Sequence, residues 1–260
     1  MRVHHLNCGS MREIEGPVGE RSAAVCHCLL VETEQGLVLV DTGIGLHDIA
    51  DPPRTLGSDF VSWARPVLDP AETAIRQVEA LGYDVGDVRD IVMTHLHLDH
   101  AGALADFPEA TVHVSATELK TATTADRYPH QQWAHGPRWA AYDFDEGDIW
   151  NGFENVRPAE GLPSEILLVP LPGHTDGHLG VAVACESGWL LHAGDSYYYH
   201  GELASAPAPA PDMLEALQSS TETDRELRLA NVRQLSSLAA SGVRVFCAHD
   251  PWEFRDALRG

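Results

Sequence analysis

Positive charge is scarce in this chain. Its 260 residues carry 39 aspartates and glutamates against 17 lysines and arginines, a net charge of −22, and Lys120 is the single lysine. Nucleic-acid binding draws most of its affinity from Lys and Arg on phosphates, so a field of this sign repels nucleic acid and makes a nuclease a poor reading. Phosphate-monoester and glutathione-thioester substrates, which need basic anchors, are disfavoured for the same reason, though arginines can stand in for lysines. Long apolar runs are missing as well: none approaches the ~20 residues that cross a bilayer, so no membrane partner is expected. The start, Met1-Arg2-Val3-His4-His5, has no apolar stretch of a secretory signal. Cysteine is sparse, five residues without framework spacing, which argues against a disulfide scaffold and for reduced thiols in a cytoplasmic protein. In Cys26-His27-Cys28 the flanks Ala23-Ala24-Val25 and Leu29-Leu30-Val31 mark a strand, so both thiols face one side and pack as small apolar groups. A 44% hydrophobic and 22% charged composition suits one sizeable core. No boundary interrupts it, and a single domain over residues 1–260 is expected.

Histidine, by contrast, is concentrated. Met93-Thr94-His95-Leu96-His97-Leu98-Asp99-His100-Ala101-Gly102 packs three histidines and one aspartate into six positions after the apolar run Ile91-Val92-Met93. Imidazole is a neutral nitrogen ligand for zinc-like metals and carboxylate an anionic oxygen ligand. In an extended or turning segment His95 and His97 project to one side and can share an ion. Asp99 and His100 lie where the chain is expected to enter a helix and can reach a second. Later runs end in the same residue types: His174 after Ile166 to Val169, Asp195 after Leu190-Leu191, His249 after Val243 to Phe246. Each follows a strand-like segment at its C-terminal end, where layered α/β proteins gather their sites on loops. The pattern predicts a dinuclear metal site.

These residues, with the Asp41-Thr42-Gly43 turn after Leu37-Val38-Leu39-Val40, resemble the metallo-β-lactamase-fold hydrolase superfamily in kind and in order. The resemblance covers nearly the whole chain and implies an α/β, four-layer αββα sandwich with metals at one edge. It implies His95, His97 and His174 on a first ion, Asp99, His100 and His249 on a second, and Asp195 bridging. The cofactors expected are two divalent ions, zinc by ligand type, although iron, manganese and cobalt suit the same set. Asp41 resembles the family's ligand-orienting aspartate; a turn-forming Asp before Thr-Gly is the other reading.

Local signals order the rest. Val25 to Val31 and Leu37 to Val40 form a hairpin across Glu32-Thr33-Glu34-Gln35-Gly36. Asp69 caps a helix with Pro70 first, running through Leu81 and stopped by Gly82. Ile91 to Thr94 is a strand. Thr111 to Val114 is another, with His113 packed rather than ligating, and Ser115-Ala116-Thr117-Glu118 resembles a capping box. Strands follow at 181–184, at 189–191 and in the two apolar runs that precede His174 and His249. Ala206 to Pro211 reads as a stiff connector, and a helix over about Thr223 to Ala240 has its apolar stripe at Leu227, Ala230, Leu235 and Leu238. The segment Tyr128 to Tyr142 reads equally as an aromatic lid or a packed cluster, and His130, His135, His192 and His200 as packing, surface or outer-sphere residues.

Two close dications lower the pKa of a shared water toward ~7, so the resemblance implies that a metal-bridging hydroxide attacks an acyl carbonyl. Asp99 then shuttles a proton to the departing oxygen. The substrate is a small acyl compound. Asp195-Ser196-Tyr197-Tyr198-Tyr199 resembles the N-acyl homoserine lactonase branch, in which a tyrosine three positions beyond the bridging aspartate faces the metals, and Tyr198 has that spacing. Asp176 departs from that branch, which often has proline there. The leading expectation is therefore a lactone or acyl-ester hydrolase. A β-lactamase or thioesterase-type hydrolase of the same fold is the alternative, although lactamases of this fold usually have cysteine or serine in place of Asp195. Diiron redox members carry glutamate where this chain has His97, and a turnover-free metal scaffold leaves Tyr198 without a purpose. Oligomeric state is not encoded in any of these signals.

Overall fold

A computed structural model describes residues 1–16, 19–125, 128–204, 208 and 210–259. Among the described residues twelve strands form two six-stranded sheets, each in chain order. The first holds β1 (Arg2–Glu15), β2 (Arg21–Thr33), β3 (Gly36–Val40), β4 (Val88–Val92), β5 (Thr111–Ser115) and β6 (Arg138–Tyr142). The second holds β7 (Asp148–Trp150), β8 (Phe153–Pro158), β9 (Ile166–Pro170), β10 (Leu179–Cys185), β11 (Gly188–His192) and β12 (Arg244–Phe246). Helices α1 (Leu46–Ala50), α2 (Pro52–Thr55), α3 (Ser58–Ala64), α4 (Ala74–Ala80) and α5 (Ala116–Thr124) belong to the first half, and α6 (Asp212–Thr221), α7 (Arg225–Ala240) and α8 (Pro251–Ala257) to the second. Among the described residues no helix is long and apolar enough to cross a membrane.

Period-2 alternation divides the apolar residues among three cores. Leu29, Val31, Val38, Val40 and Val92 face Leu168, Val181, Val183 and Leu190 between the sheets. Their neighbours Cys28, Leu30, Leu37, Leu39 and Ile91 turn outward to Ala74 and Val78 of α4 and Ala122 of α5. On the far side Val169, Ala182 and Leu191 pack on Val232, Leu235 and Leu238 of α7. The result is the four-layer αββα sandwich. Cys26 and Cys28 are buried in the first of the outer cores, as their flanks predict, and all five cysteines are free.

Strand direction places the site. β3 to β6 are mutually parallel; β9 runs antiparallel to β10, β10 to β11, and β12 parallel to β11. β9, β11 and β12 therefore point one way, and the loops leaving β3, β4, β9, β11 and β12 carry the histidines and aspartates singled out above.

Several local expectations are corrected. The helix expected from Asp69 to Leu81 is broken: Asp69 caps only a 3₁₀ turn, Pro70–Glu72, Thr73 is extended, and the α-helix starts at Ala74. At the break the Glu72 carboxylate accepts from the backbone and hydroxyl of Ser10 in β1 at 2.6 and 2.8 Å, and side chains of Thr73 and Gln77 take up the carbonyls of Pro70 and Glu72, each at 2.7 Å. Ser115 makes no side-chain cap. Glu118 instead accepts from Leu96 N at 2.9 Å and Thr175 Oγ1 at 2.6 Å, fastening two site loops. No α-helix follows Asp99, only a 3₁₀ turn at Leu104–Asp106: the carbonyl of His100 accepts from Thr42 N and Gly43 N, so it is not available to a helical ladder. On α7 the buried stripe is Arg228, Val232, Leu235 and Leu238, with Leu227 exposed. Of the two readings of the Tyr128–Tyr142 segment, the packed cluster fits: Trp133 is buried and meets Trp139 edge to face, β6 is paired to β5, and none of these residues lines the cavity at the site, although residues 134–136 are exposed. Much of the connector at 206–211 lies outside the described residues.

β1 and β2 also bring His5 Nδ1 to 2.8 Å from His27 Nε2. Burial lowers His5 to about 4 and pushes His27 well down. Both are neutral when folded, whereas the unfolded chain protonates them near 6.5. The folded state thus binds fewer protons between pH 6.5 and 4, and stability falls as pH drops through that window. The His5 share reaches roughly 3 kcal/mol at the limit. Melting temperature against pH should slope less over pH 4–6.5 in His5→Gln than in the parent protein; parallel slopes would refute this assignment.

Candidate metal centre

The loop after β4 is shaped by Asp41, at the end of β3. Its backbone is left-handed (φ 54°), and its carboxylate accepts from Thr94 N and Thr94 Oγ1, both at 2.7 Å, and from His100 Nδ1 at 2.8 Å. Because the Thr94 hydroxyl donates to Asp41, it is left to accept from His95 Nδ1 at 3.1 Å. One carboxylate thus fixes two imidazoles with their Nε2 atoms facing the site. Burial opposes the ionised form of Asp41, but His100 outweighs it and holds the carboxyl below the usual range. His249 is oriented in the same sense by Nδ1–H donating to Val25 O at 2.8 Å.

Asp195 enters on the turn after β11. Gly194 before it is left-handed (φ 53°), and a Cβ there would lie 2.5 Å from His178 Nε2, so only glycine makes this turn. His178 Nε2 accepts from Asp195 N at 3.0 Å while its Nδ1–H donates to Leu171 O at 3.0 Å. Burial lowers His178 to about 4, which keeps it neutral and able to accept. Gln218 of α6 donates to the carbonyls of Asp195 and Ser196, each at 3.3 Å.

The aspartate then spans two clusters. Its Oδ2 lies 3.3 Å from His174 Nε2 and 3.7 Å from His95 Nε2, with His97 Nδ1 3.0 Å from His174 Nε2. Its Oδ1 lies 3.2 Å from both His100 Nε2 and His249 Nε2, and Asp99 Oδ2 is 3.6 Å from His249 Nε2. Ligand atoms of His95, His97, His174 and Asp195 lie within 4.8 Å of one another, and so do those of Asp99, His100 and His249. All seven residues singled out in the sequence are therefore brought together. Tyr198 joins them: its hydroxyl donates to Asp195 Oδ2 at 3.1 Å, and burial holds its pKa well above the usual value, so the phenol keeps its proton.

The donor set fits a pair of cations. His95 Nε2, His100 Nε2 and Asp195 Oδ1 are buried without a hydrogen bond of good geometry, a costly state that ligation would relieve. Burial keeps His95 and His174 neutral, the form that ligates. Burial also disfavours imidazolium at His100 and His249, but the carboxylates together outweigh it and raise both, Asp195 with Asp41 at His100 and Asp195 with Asp99 at His249. Carboxylates that hold protons there would hold a metal cation in their place. His113 lies apart, bonded to Tyr142 and Asp90; His192 packs under the site, joined to His27 O and Gly194 N; His200 pairs with Asp250. Sequence reading missed His178, Gln218 and Thr94. Thr94 lay inside a motif already marked, and His178 only four residues beyond His174, where neighbouring residues drew the ligand roles.

The sequence profile of the metallo-β-lactamase superfamily matches residues 22–239. The chain belongs to that superfamily. A probable metallo-hydrolase of Mycobacterium tuberculosis is 42% identical over 260 residues, covering 96% of this chain and 81% of its own. An N-acyl homoserine lactonase of Azorhizobium caulinodans is 31% identical, covering 96% of this chain and 89% of its own. Among solved structures, an N-acyl homoserine lactone hydrolase with N-hexanoyl-L-homoserine at its catalytic metal centre superposes with a TM-score of 0.72. It covers 98% of this chain and 95% of its own at 23% identity, a likeness of fold. As a superfamily member the chain is a metal-dependent hydrolase whose His/Asp cluster suits divalent metal.

Proposed function

We propose that this chain is a dinuclear hydrolase of lactones or related acyl esters. His95, His97 and His174 would hold one divalent ion, Asp99, His100 and His249 the other, and Asp195 would join them; zinc, iron, manganese and cobalt all suit such ligands. Bound there, the ions supply Lewis-acid polarisation of an acyl carbonyl and lower the pKa of a water toward ~7. The observation that carries the reading is Asp195 itself, with one oxygen toward each cluster and the Tyr198 hydroxyl on Oδ2. The lactonase relative supports the substrate class.

The chain's own groups divide the remaining tasks. Tyr198, kept protonated, can turn its hydroxyl to the substrate's carbonyl oxygen, where negative charge grows as the carbonyl is attacked. Asp99 lines the adjoining cavity, and its side chain is the most exposed of the three aspartates at the site. It is placed to carry a proton from the attacking water to the departing alkoxide. The acyl C–O bond breaks, a new C–O bond forms, and a lactone becomes a hydroxy acid. Leu214 and Leu217 give the cavity apolar walls beside these groups.

The test combines elemental analysis with a panel of lactones, carboxylic esters, thioesters and a chromogenic β-lactam. Two ions per chain and highest kcat/KM on a lactone or oxygen ester are expected. Preference for the β-lactam, or fewer than two ions in active protein, would sink the reading. Tyr198→Phe, which removes only a hydroxyl, should cost up to ~3 kcal/mol of transition-state stabilisation, about a hundredfold in kcat, with metal content unchanged. Full turnover in that variant would leave Tyr198 without a chemical role.

A further inference from the structure

The cavity that opens on Asp99, Asp195 and Tyr198 has a volume of about 310 Å³ and walls that are mostly apolar. One cation interrupts them. Arg12 lines this cavity at the exposed side, its guanidinium 5.2 Å over the ring of Trp63 and its Nη1 3.7 Å from Met213 Sδ. Trp63 is 38% exposed, so this pair marks the rim, while Asp195 and Tyr198, both nearly inaccessible, mark the floor.

Two features set Arg12 apart. The first is its missing partner. Among the described arginines that are not exposed, Arg157 and Arg228 each pair with a glutamate. Arg12 pairs with no carboxylate among the described residues, in a chain where acidic side chains outnumber basic ones 39 to 17. The second is the backbone that aims it. The register of β1 on β2 passes from Ser10↔Val25 to Glu13↔Ala23, so Met11 and Arg12 together oppose Ala24. Such a bulge turns an extra side chain toward a site that regular alternation would keep from it. Met11, Arg12 and Ala24 all line the cavity. The aromatic face takes no N–H donor and the thioether of Met213 takes a single weak one at Nη1, so most of the fork's donors are left for a ligand.

We infer that Arg12 is a specificity residue that binds a terminal carboxylate on the acyl substrate, at the end of the cavity away from the reacting carbonyl. The inference rests on the hydrolase reading above and narrows it to substrates with an apolar middle and an anionic tail. A planar carboxylate matches the guanidinium fork with two hydrogen bonds, and such charge-assisted bonds are the strong ones. Chain length is set by the cavity, and the preference is set at Arg12.

Matched lactones with acyl chains of equal length, ending in methyl or in carboxylate, provide the test. The parent protein should favour the carboxylate member by about tenfold to a hundredfold in kcat/KM, mostly through KM. Arg12→Met keeps packing on Trp63 but should abolish that ratio, and Arg12→Lys should retain part of it. A second arm measures binding alone, by calorimetry on the metal-loaded protein, with cyclic ethers that lack the ring carbonyl and end in the same two groups. The Kd ratio should collapse in Arg12→Met as the kcat/KM ratio does. Hydrolysis of both lactones with ratios untouched by Arg12→Met would overturn the inference and leave the hydrolase reading standing. No hydrolysis of either lactone, with a Kd ratio that depends on Arg12, would do the reverse.

Discussion

Asp195→Asn should lose more than about a hundredfold in kcat/KM and at least one of two bound metal ions. Partners that merely orient a ligand cost ten- to a hundredfold when removed, and Asp195 sits closer to the chemistry than any of them. Its Oδ1 is 3.2 Å from His100 and His249 and its Oδ2 3.3 Å from His174. The amide keeps the shape but removes the negative charge that faces both clusters, and it turns an NH₂ group toward one of them. His113→Ala is the matched control: a buried histidine removed, with its bonds to Tyr142 and Asp90, outside the centre. Elemental analysis and kinetics on both variants at equal folded fraction decide the matter. Equal losses, or two ions retained with parent turnover in Asp195→Asn, would show that the bridge is misassigned.

The site was legible in the sequence because its ligands are chemically unusual and end strands. His95 to His100, His174, Asp195 and His249 each follow an apolar run, and a parallel arrangement of those runs carries their C-terminal ends to one edge. Asp41 was legible only as one of two readings. Its three hydrogen bonds, to Thr94 and His100, depend on the β3–β4 pairing, which no local pattern reveals.

Elements whose alternation is interrupted were not legible. β1 is a 14-residue strand, but bulges after Asn7 and Ser10 shift its apolar positions from Leu6 and Cys8 to Met11 and Ile14. α6 has ten residues with Met213, Leu214, Ala216 and Leu217 at helical spacing, but no sequence signal linked it to the site; it presents Leu214 and Leu217 to the cavity and Gln218 to the Asp195 loop. On α7 the error had a single cause. Leu227 and Ala230 read as core because they are apolar, the ordinary assumption about side-chain polarity, and the packing exposes both and buries Arg228 and Val232 instead.

That reversal yields the second large effect. Arg228 is 1% exposed and holds three parts of the molecule together. Its Nε donates to Glu222 at the α6–α7 joint at 2.5 Å, and its Nη1 donates to Ser196 O, next to Asp195, at 3.2 Å. Glu202, 3.9 Å from the same guanidinium, accepts from the backbone N–H groups of Tyr198 and Tyr199. Its backbone also closes on the turn before His174, where a Cβ on Gly173 would lie 2.4 Å from Arg228 N. Arg228→Met preserves bulk but removes the buried partner of Glu222, whose side chain is 6% exposed, and leaves that carboxylate with the exposed Arg225 at 3.0 Å. Breaking a buried pair outright costs about 3–5 kcal/mol, and with Arg225 retained the loss falls at the lower end of that range, whereas replacing both members with neutral groups is often close to neutral. The single variant should therefore melt about 10 °C lower and loosen the Asp195–Tyr198 loop, lowering kcat in the fraction that stays folded. Arg228→Met combined with Glu222→Gln should regain more than half of the lost stability. A single variant that melts within a degree or two of the parent, or a double variant no better than the single, would show that the ion pair does not hold the loop.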